Sequence, residues 1–159
     1  KEQSMTQLEN VEGSCLCGAV TLKAAEVAPH FTACHCEICR KWGGGPYLAV
    51  SCTSEVRFDG EEHVGVFDSS QWAERGFCTK CGTHLFYRLK HNQRYGIPLG
   101  LIDEDLGELA FSRQFFIDKK PACYTFAEET ETLTEAQVFA LFAGAEGALE
   151  SECPKKEPS

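Results

Sequence analysis

Seven of the ten cysteines lie in three short clusters, and cysteine thiolates at such spacing are typical zinc ligands. In chain order the clusters are the pair Cys15 and Cys17, the trio Cys34, Cys36 and Cys39, and the pair Cys78 and Cys81. A structural zinc normally has four protein ligands, whereas a catalytic zinc has three and keeps its fourth position for water or substrate. Seven thiolates therefore match one closed site and one open site.

Disulfide bonding is the main alternative for a chain so rich in cysteine. Cysteines separated by one or two residues rarely reach good disulfide geometry with each other, but they can place two sulfurs around one cation. The sequence also shows no secretory apolar segment and no apolar run of the roughly 18 residues that a membrane span needs. The spacing favours metal binding, and we expect a cytoplasmic protein without a membrane contact.

Length and composition set the expected organisation of the chain. A chain of 159 residues with 43% hydrophobic content can bury one core. We predict an N-terminal extension over residues 1–12, a single zinc-binding β domain over residues 13–149, and a loose C-terminal tail over residues 150–159.

The charge balance argues against a nucleic-acid partner. The chain has 15 basic and 24 acidic side chains, which give a formal net charge of −9. Such a chain repels phosphate backbones, and no cluster of lysine or arginine is long enough to follow one. We therefore expect a small-molecule partner.

Short β-rich segments separated by turns follow the cysteine clusters, and they predict small twisted sheets. Residues 134–143 instead have apolar side chains at helical spacing, with Thr134 and Gln137 as a capping box and Gly144 as a stop. A single short C-terminal helix is therefore expected. The trio precedes residues 43–46, Gly-Gly-Gly-Pro, which predicts that it lies on a loop.

The two cysteine pairs are candidates for the closed site. They are separated by at least 61 residues, so a shared zinc would close a long loop. Structural zinc binding can contribute folding free energy on the order of 10 kcal/mol. The residues alone leave the pairing open, because either pair could instead complete a site with two members of the trio.

The trio has the character of an open site. Its three sulfurs lie within six residues, and Arg40 and Lys41 follow it with charges that would partly offset the thiolates. A zinc ion with an open face would deprotonate an entering thiol, and the thiolate could attack an electrophilic carbon such as that of an aldehyde. Arg40 is the predicted charge partner for an anionic substrate.

A second structural zinc is the alternative for the trio, and it requires a fourth protein ligand. The candidates for that ligand are Cys52, His35, His84 and Cys123. Because His35 lies between two ligands, we expect its side chain to point away from the metal. Cys52 and Cys123 are expected to behave as small apolar residues, and Cys153 as a free thiol of the tail.

Three cysteine-containing segments match a known family in order and spacing. They are Gly-Ser-Cys-Leu-Cys-Gly-Ala-Val at residues 13–20, Cys-His-Cys-Glu-Ile-Cys-Arg-Lys at 34–41 and Gly-Phe-Cys-Thr-Lys-Cys-Gly-Thr at 76–83. Residues 116–124, Phe-Ile-Asp-Lys-Lys-Pro-Ala-Cys-Tyr, resemble the segment that closes the same domain. Together these segments resemble the glutathione-dependent formaldehyde-activating enzymes, a family whose domain is shared with centromere protein V.

The resemblance implies a fold, a ligand set and a reaction. The fold is mainly β, with stacked small antiparallel sheets in a β-tent-like arrangement around a structural zinc that four cysteines bind. The implied structural ligands are Cys15, Cys17, Cys78 and Cys81, while Cys34, Cys36 and Cys39 match the open, catalytic zinc site. The implied reaction is that of a carbon–sulfur lyase that joins a small thiol such as glutathione to formaldehyde, giving S-(hydroxymethyl)glutathione.

Two functions of other classes fit the same clusters. The first is a non-catalytic binding module in which both zinc ions are structural, and it predicts a fourth protein ligand at the trio. The second is metal storage or thiol redox sensing through the trio, which fits a site that loses its cation easily. The ligand set around the trio therefore separates these classes.

Overall fold

The computed structural model describes residues 8–53, 55–107 and 109–146, and these residues form a mainly β fold. The ten strands are β1 (Leu8–Ser14), β2 (Thr21–Cys34), β3 (Tyr47–Cys52), β4 (Val56–Asp59), β5 (Val64–Asp68), β6 (Ala73–Cys78), β7 (His84–Leu89), β8 (Tyr95–Pro98), β9 (Ala110–Phe115) and β10 (Glu131–Leu133). The two α-helices are α1 (Glu37–Gly43) and α2 (Glu135–Glu146). The predicted mainly β class is confirmed.

The described residues divide into two compact units. The first unit comprises the residues up to Phe31 and those from Leu48 to Phe111, and the second comprises Thr32–Tyr47 and the residues from Ser112 onward. The two cysteine pairs belong to the first unit, and the trio belongs to the second. Each cysteine cluster therefore lies within a single unit.

The first unit is built from antiparallel strands joined by tight turns. Strand β2 pairs with β1 on one side and with β4 through residues 21–24, while β3, β8, β7, β6 and β5 pair in that order. Alternate residues of a strand point to opposite faces, so Leu22 and Ala24 of β2 both enter the core. The sheet thus presents one apolar face inward.

The core of the first unit includes two of the predicted zinc ligands. Its fully buried members include Val20, Val50, Leu85, Phe86 and Ile97, and the same cluster contains Cys15 and Cys78. Removal of apolar surface from water stabilises this packing by roughly 25 cal/mol per Å². The sulfurs of the two cysteine pairs are therefore backed by packed side chains.

Strand β1 was not expected from the sequence. It begins at Leu8, inside the segment assigned to an N-terminal extension, and Val11 lies opposite Ala24 of β2 with 2% of its surface exposed. Its polar neighbours Asn10 and Glu12 are exposed, so the segment has too few apolar residues to be recognised as a strand from the sequence. Residues 150–159, the predicted tail, lie outside the described residues, and the division into extension, domain and tail stays a prediction.

The second unit contains α1, residues 113–115 of β9 paired in parallel with β10, and α2. The helix α1 corrects the expectation that the trio lies on a loop, because Cys36 is its N-cap and Cys39 lies one turn further on. Glycine still ends the helix, since Gly44 has a φ of 83° and its N–H bonds to the Arg40 carbonyl. The loop prediction was wrong because it was based on the glycines at residues 43–45 and did not consider Cys36 as a helix N-cap.

The C-terminal helix α2 confirms the predicted capping box. The Thr134 N–H donates to Gln137 Oε1 at 2.8 Å, and the Gln137 N–H donates to Thr134 Oγ1 at 3.3 Å. The helix nevertheless continues through Gly144 to Glu146, so the predicted stop was wrong. Glycine stops a helix only where it takes up a left-handed conformation, and helix-forming residues follow it here.

Among the described residues, none of the helices has the length and apolar character needed to cross a bilayer.

Candidate metal centres

Each cysteine pair of the first unit lies in the turn of a β-hairpin. Cys15 and Cys17 occupy the β1–β2 turn, while Cys78 ends β6 and Cys81 lies in the turn before β7. The two turns have the same construction, since the N–H of Gly18 bonds to the Cys15 carbonyl at 3.0 Å and that of Gly82 to the Cys78 carbonyl at 2.8 Å. The positive φ angles of both glycines, 79° and 78°, favour glycine at these positions.

The four sulfurs of these turns fit the geometry of a tetrahedral zinc site. Cys17 Sγ lies 3.6 Å from Cys15 Sγ and 3.8 Å from Cys78 Sγ. These three sulfurs and the Cys81 sulfur all lie within 4.8 Å of one another. Zinc–sulfur bonds of about 2.3 Å place tetrahedral sulfurs about 3.8 Å apart. The structure thus brings together the two pairs as one group, and the alternative of a pair combined with trio members does not occur among the described residues.

The surroundings of these thiols shift their pKa values in opposite directions. A hydrogen bond to the Thr83 hydroxyl is the main cause that lowers the pKa of Cys81 to about 5. The backbone of Ala19 favours the Cys17 thiolate, but desolvation and the neighbouring sulfurs outweigh it and raise the pKa of Cys17 to about 11. Four thiolates so close together repel one another, and a divalent cation would remove that repulsion.

Thr83 joins the two turns, and the sequence analysis did not single it out. Its Oγ1 accepts a hydrogen bond from the Leu16 N–H at 3.1 Å and lies 3.1 Å from Cys81 Sγ. When Cys81 is ionised, the hydroxyl donates to the thiolate. The sequence signal that could have identified Thr83 is its position, a hydroxyl-bearing residue directly after a Cys-x-x-Cys-Gly turn. Thr83 therefore links the Cys81 sulfur of one turn to the Leu16 N–H of the other turn.

Replacing Thr83 by valine is expected to weaken metal binding at the four-sulfur cluster by about tenfold, because groups bonded to a ligand orient it. Competition with a chromophoric chelator measures this affinity. Thr79→Val is the matched control, since the Thr79 hydroxyl bonds to the His63 carbonyl at 3.1 Å rather than to a sulfur. Equal affinities for the two variants would show that the Thr83 hydroxyl does not support the cluster.

The trio is formed where β2 runs into α1. Cys34 ends β2, Cys36 is the N-cap with extended backbone angles (φ −63°, ψ 157°), and Cys39 is buried inside the first helical turn. The Cys39 N–H donates to Cys36 Sγ at 3.3 Å. All three sulfurs lie within 4.8 Å of one another, so a strand end and a helix start place them around one point.

The electrostatics of the trio resemble those of the first cluster. Hydrogen bonds to the sulfurs of Cys36 and Cys39, together with burial, raise the pKa of Cys34 well above its ordinary value. Three thiolates cannot share this space without a counter-charge. The donor set of three sulfurs therefore fits a soft divalent cation such as zinc.

Among the described residues, no other histidine, cysteine, aspartate or glutamate joins the trio as a fourth donor. Both ring nitrogens of His35 are bonded elsewhere, to Tyr124 and Gln114. Cys52 is buried in the core of the first unit, where burial raises its pKa to about 12. Cys123 is exposed and lies outside both sulfur groups.

The remaining predicted residues have identifiable surroundings. The side chain of His35 points away from the trio, as expected. Burial is the main cause that lowers the pKa of His35, and the charges of Lys120 and Arg40 lower it further. The hydrogen bond to Gln114 has the opposite effect on this pKa. Arg40 Nε donates to the His35 carbonyl at 2.8 Å, which holds the guanidinium beside the trio backbone. Burial and the charge of Arg75 lower the pKa of His84, which lies outside both groups. Cys153 lies outside the described residues.

Comparison with known proteins identifies relatives of this chain. Residues 10–119 match the family model described as glutathione-dependent formaldehyde-activating enzyme. An uncharacterized lyase of Schizosaccharomyces pombe is 39% identical over 127 residues, which are 80% of this chain and 93% of the yeast protein. A crystal structure of a Rhodobacter sphaeroides protein has a TM-score of 0.50 and 25% identity, covering 63% of this chain and 98% of that one.

Proposed function

Since the chain belongs to the family of glutathione-dependent formaldehyde-activating enzymes, we propose that it is a zinc-dependent carbon–sulfur lyase or synthase. Its substrate would be a small thiol–aldehyde adduct, and its reaction would resemble that of S-(hydroxymethyl)glutathione synthase. The observation that carries this proposal is the division of seven sulfurs into a group of four and a group of three. Family membership and the yeast relative named as a lyase support an enzyme.

The two groups would have different roles. Cys15, Cys17, Cys78 and Cys81 would enclose a structural zinc, and Cys34, Cys36 and Cys39 would hold a catalytic one. When bound at the trio, zinc supplies a Lewis acid that lowers the pKa of a substrate thiol. The protein's own contribution there is positional, because the Cys39 N–H fixes the Cys36 sulfur and the start of α1 fixes the spacing of the three side chains.

The reaction balances without a redox step. A carbon–sulfur bond forms between the thiol sulfur and the aldehyde carbon, the carbon–oxygen double bond becomes single, and the thiol proton ends on the oxygen. The reverse reaction breaks the same carbon–sulfur bond. Proximity of the two reactants is the main gain that a binding site can offer to such an addition.

The thiol component of the proposed adduct would carry a carboxylate, as glutathione does. Arg40 would pair with that carboxylate, because its guanidinium is held beside the trio by the bond from Nε to the His35 carbonyl, and the described residues give its terminal nitrogens no hydrogen bond or ion pair. The seven clustered cysteines would have to stay reduced to hold metal ions, so we propose a reducing compartment such as the cytoplasm.

Cobalt substitution tests the proposal directly. We expect anaerobic titration of the cobalt-loaded protein with glutathione to change the sulfur-to-cobalt absorption, because a fourth sulfur enters the trio site. S-methylglutathione is the matched control, since it has the same peptide and no free thiol, and it should leave the spectrum unchanged. Formation of S-(hydroxymethyl)glutathione should also exceed the rate in buffer.

An unchanged spectrum in a fully loaded sample, with no rate above buffer, would reject the enzyme. It would favour the alternative in which both zinc ions are structural and the chain is a non-catalytic binding module.

A further inference from the structure

His35 lies between two of the proposed zinc ligands, yet its side chain belongs to a different network. It is fully buried, with 0% of its surface exposed. Its ring contacts residues that lie 79 and 89 positions further along the chain. A buried polar ring is retained in a fold only where its hydrogen bonds are made.

The hydrogen-bond partners define how the ring is held. His35 Nε2 lies 2.8 Å from Gln114 Oε1, and His35 Nδ1 lies 2.8 Å from the Tyr124 hydroxyl oxygen. The Gln114 amide nitrogen donates to Thr130 Oγ1 at 3.0 Å, which turns its carbonyl oxygen toward the ring. A carbonyl oxygen only accepts, so Nε2 donates, and in the neutral ring Nδ1 then accepts from the Tyr124 hydroxyl.

The backbone of His35 is tied as well. Its N–H donates to the Phe115 carbonyl at 3.0 Å, and its own carbonyl accepts from Arg40 Nε at 2.8 Å. All four polar atoms of this residue are therefore bonded to four different residues. The peptide group between Cys34 and His35 is therefore held by Phe115, and the one between His35 and Cys36 by Arg40.

We infer that His35 is a positioning residue whose hydrogen bonds to Gln114 and Tyr124 preorganise the sulfurs of Cys34 and Cys36 for metal binding. The inference rests on the proposed function in one respect, that the trio binds a metal ion. A flexible Cys-x-Cys segment would lose conformational freedom when it bound the ion, whereas a segment that is already fixed loses little. Partners that orient ligands typically contribute 10- to 100-fold to metal affinity.

Tyr124→Phe tests the inference with the loss of a single oxygen atom. We expect the cobalt or zinc affinity of the trio site to fall roughly tenfold, while the four-sulfur site keeps its affinity and the far-ultraviolet circular dichroism is unchanged. Tyr95→Phe is the matched control. It removes a hydroxyl that accepts from Arg88 Nη1 at 3.1 Å in the first unit, and the trio affinity should not change.

Two substitutions at His35 itself test rescue by a conservative side chain. Glutamine can keep a donor for the Gln114 carbonyl, whereas leucine keeps none, so the trio affinity should fall in the order wild type, His35→Gln, His35→Leu. Occupancy of the four-sulfur site reports that each variant is folded. If His35→Leu does not fold, the Tyr124→Phe measurement decides.

The outcome is separable from that of the proposed enzyme, because metal affinity is measured without thiol or aldehyde. A wild-type protein that binds two ions and shows no turnover would reject the enzyme and leave the positioning role standing. Equal trio affinities in wild type and Tyr124→Phe would overturn the positioning role, whatever the activity.

Discussion

Cys78→Ser is expected to leave the chain largely unfolded at neutral pH. Cys78 is fully buried, with 0% of its surface exposed, and its sulfur belongs both to the four-sulfur cluster and to the core of the first unit. A serine hydroxyl does not replace a thiolate as a zinc ligand at this pH. Structural zinc can contribute on the order of 10 kcal/mol, which is comparable to the whole stability of a domain.

Circular dichroism and zinc analysis of the purified variant measure this effect. The expected result is loss of the β-sheet signal together with loss of the zinc of the four-sulfur cluster. Cys52→Ser is the matched control, because Cys52 is buried to 1% exposure in the same core but belongs to neither sulfur group. It should cost only about 1–3 kcal/mol and retain both ions. A Cys78→Ser protein with the wild-type melting temperature would contradict a structural role for the cluster.

Cys36→Ser is expected to abolish thiol–aldehyde condensation without unfolding the protein. Serine is a preferred N-cap residue and can still accept the Cys39 N–H, so α1 should persist. The loss of one of three sulfurs should empty the trio and remove transition-state stabilisation of several kcal/mol, which corresponds to roughly a 100-fold lower rate or more. Any loss of activity would then report on the metal rather than on the helix.

A rate assay with buffer controls measures this loss, because thiols and formaldehyde combine unaided. Metal content should fall by the one equivalent held at the trio, while the four-sulfur cluster keeps its ion. Cys123→Ser, which changes an exposed cysteine outside both groups, should retain the wild-type rate. Equal rates in wild type and Cys36→Ser would show that the trio does not carry the reaction.

Several features of the second unit were readable from a few neighbouring residues. The capping box of Thr134 and Gln137 is confirmed because both partners lie within one helical turn. The start of α1 carried a similar local signal that was overlooked. Glu37 lies in its first turn, Arg40 and Lys41 in its last, and Gly44 follows, which is the charge and cap pattern of a helix.

Other features depend on residues far apart in sequence, and no local pattern predicts them. Thr83 bonds to Leu16 across 67 residues, and His35 bonds to Gln114 and Tyr124 across 79 and 89 residues. Strand β1 was hidden because its pairing with β2, rather than its own composition, makes it a strand. Strand pairing and buried hydrogen bonds are set by the whole fold.

The sequence by itself determined that the chain has three chelating clusters, because two cysteines within one turn can bind one cation wherever the turn lies. It could not determine from the residues which clusters combine, since Cys17 and Cys78 are 61 residues apart. Only the tertiary structure decided that the β1–β2 and β6–β7 turns meet as a group of four sulfurs and leave the trio with three. The physical reason is that ligand spacing is a local property, whereas the number of ligands around one point depends on how the strands pair.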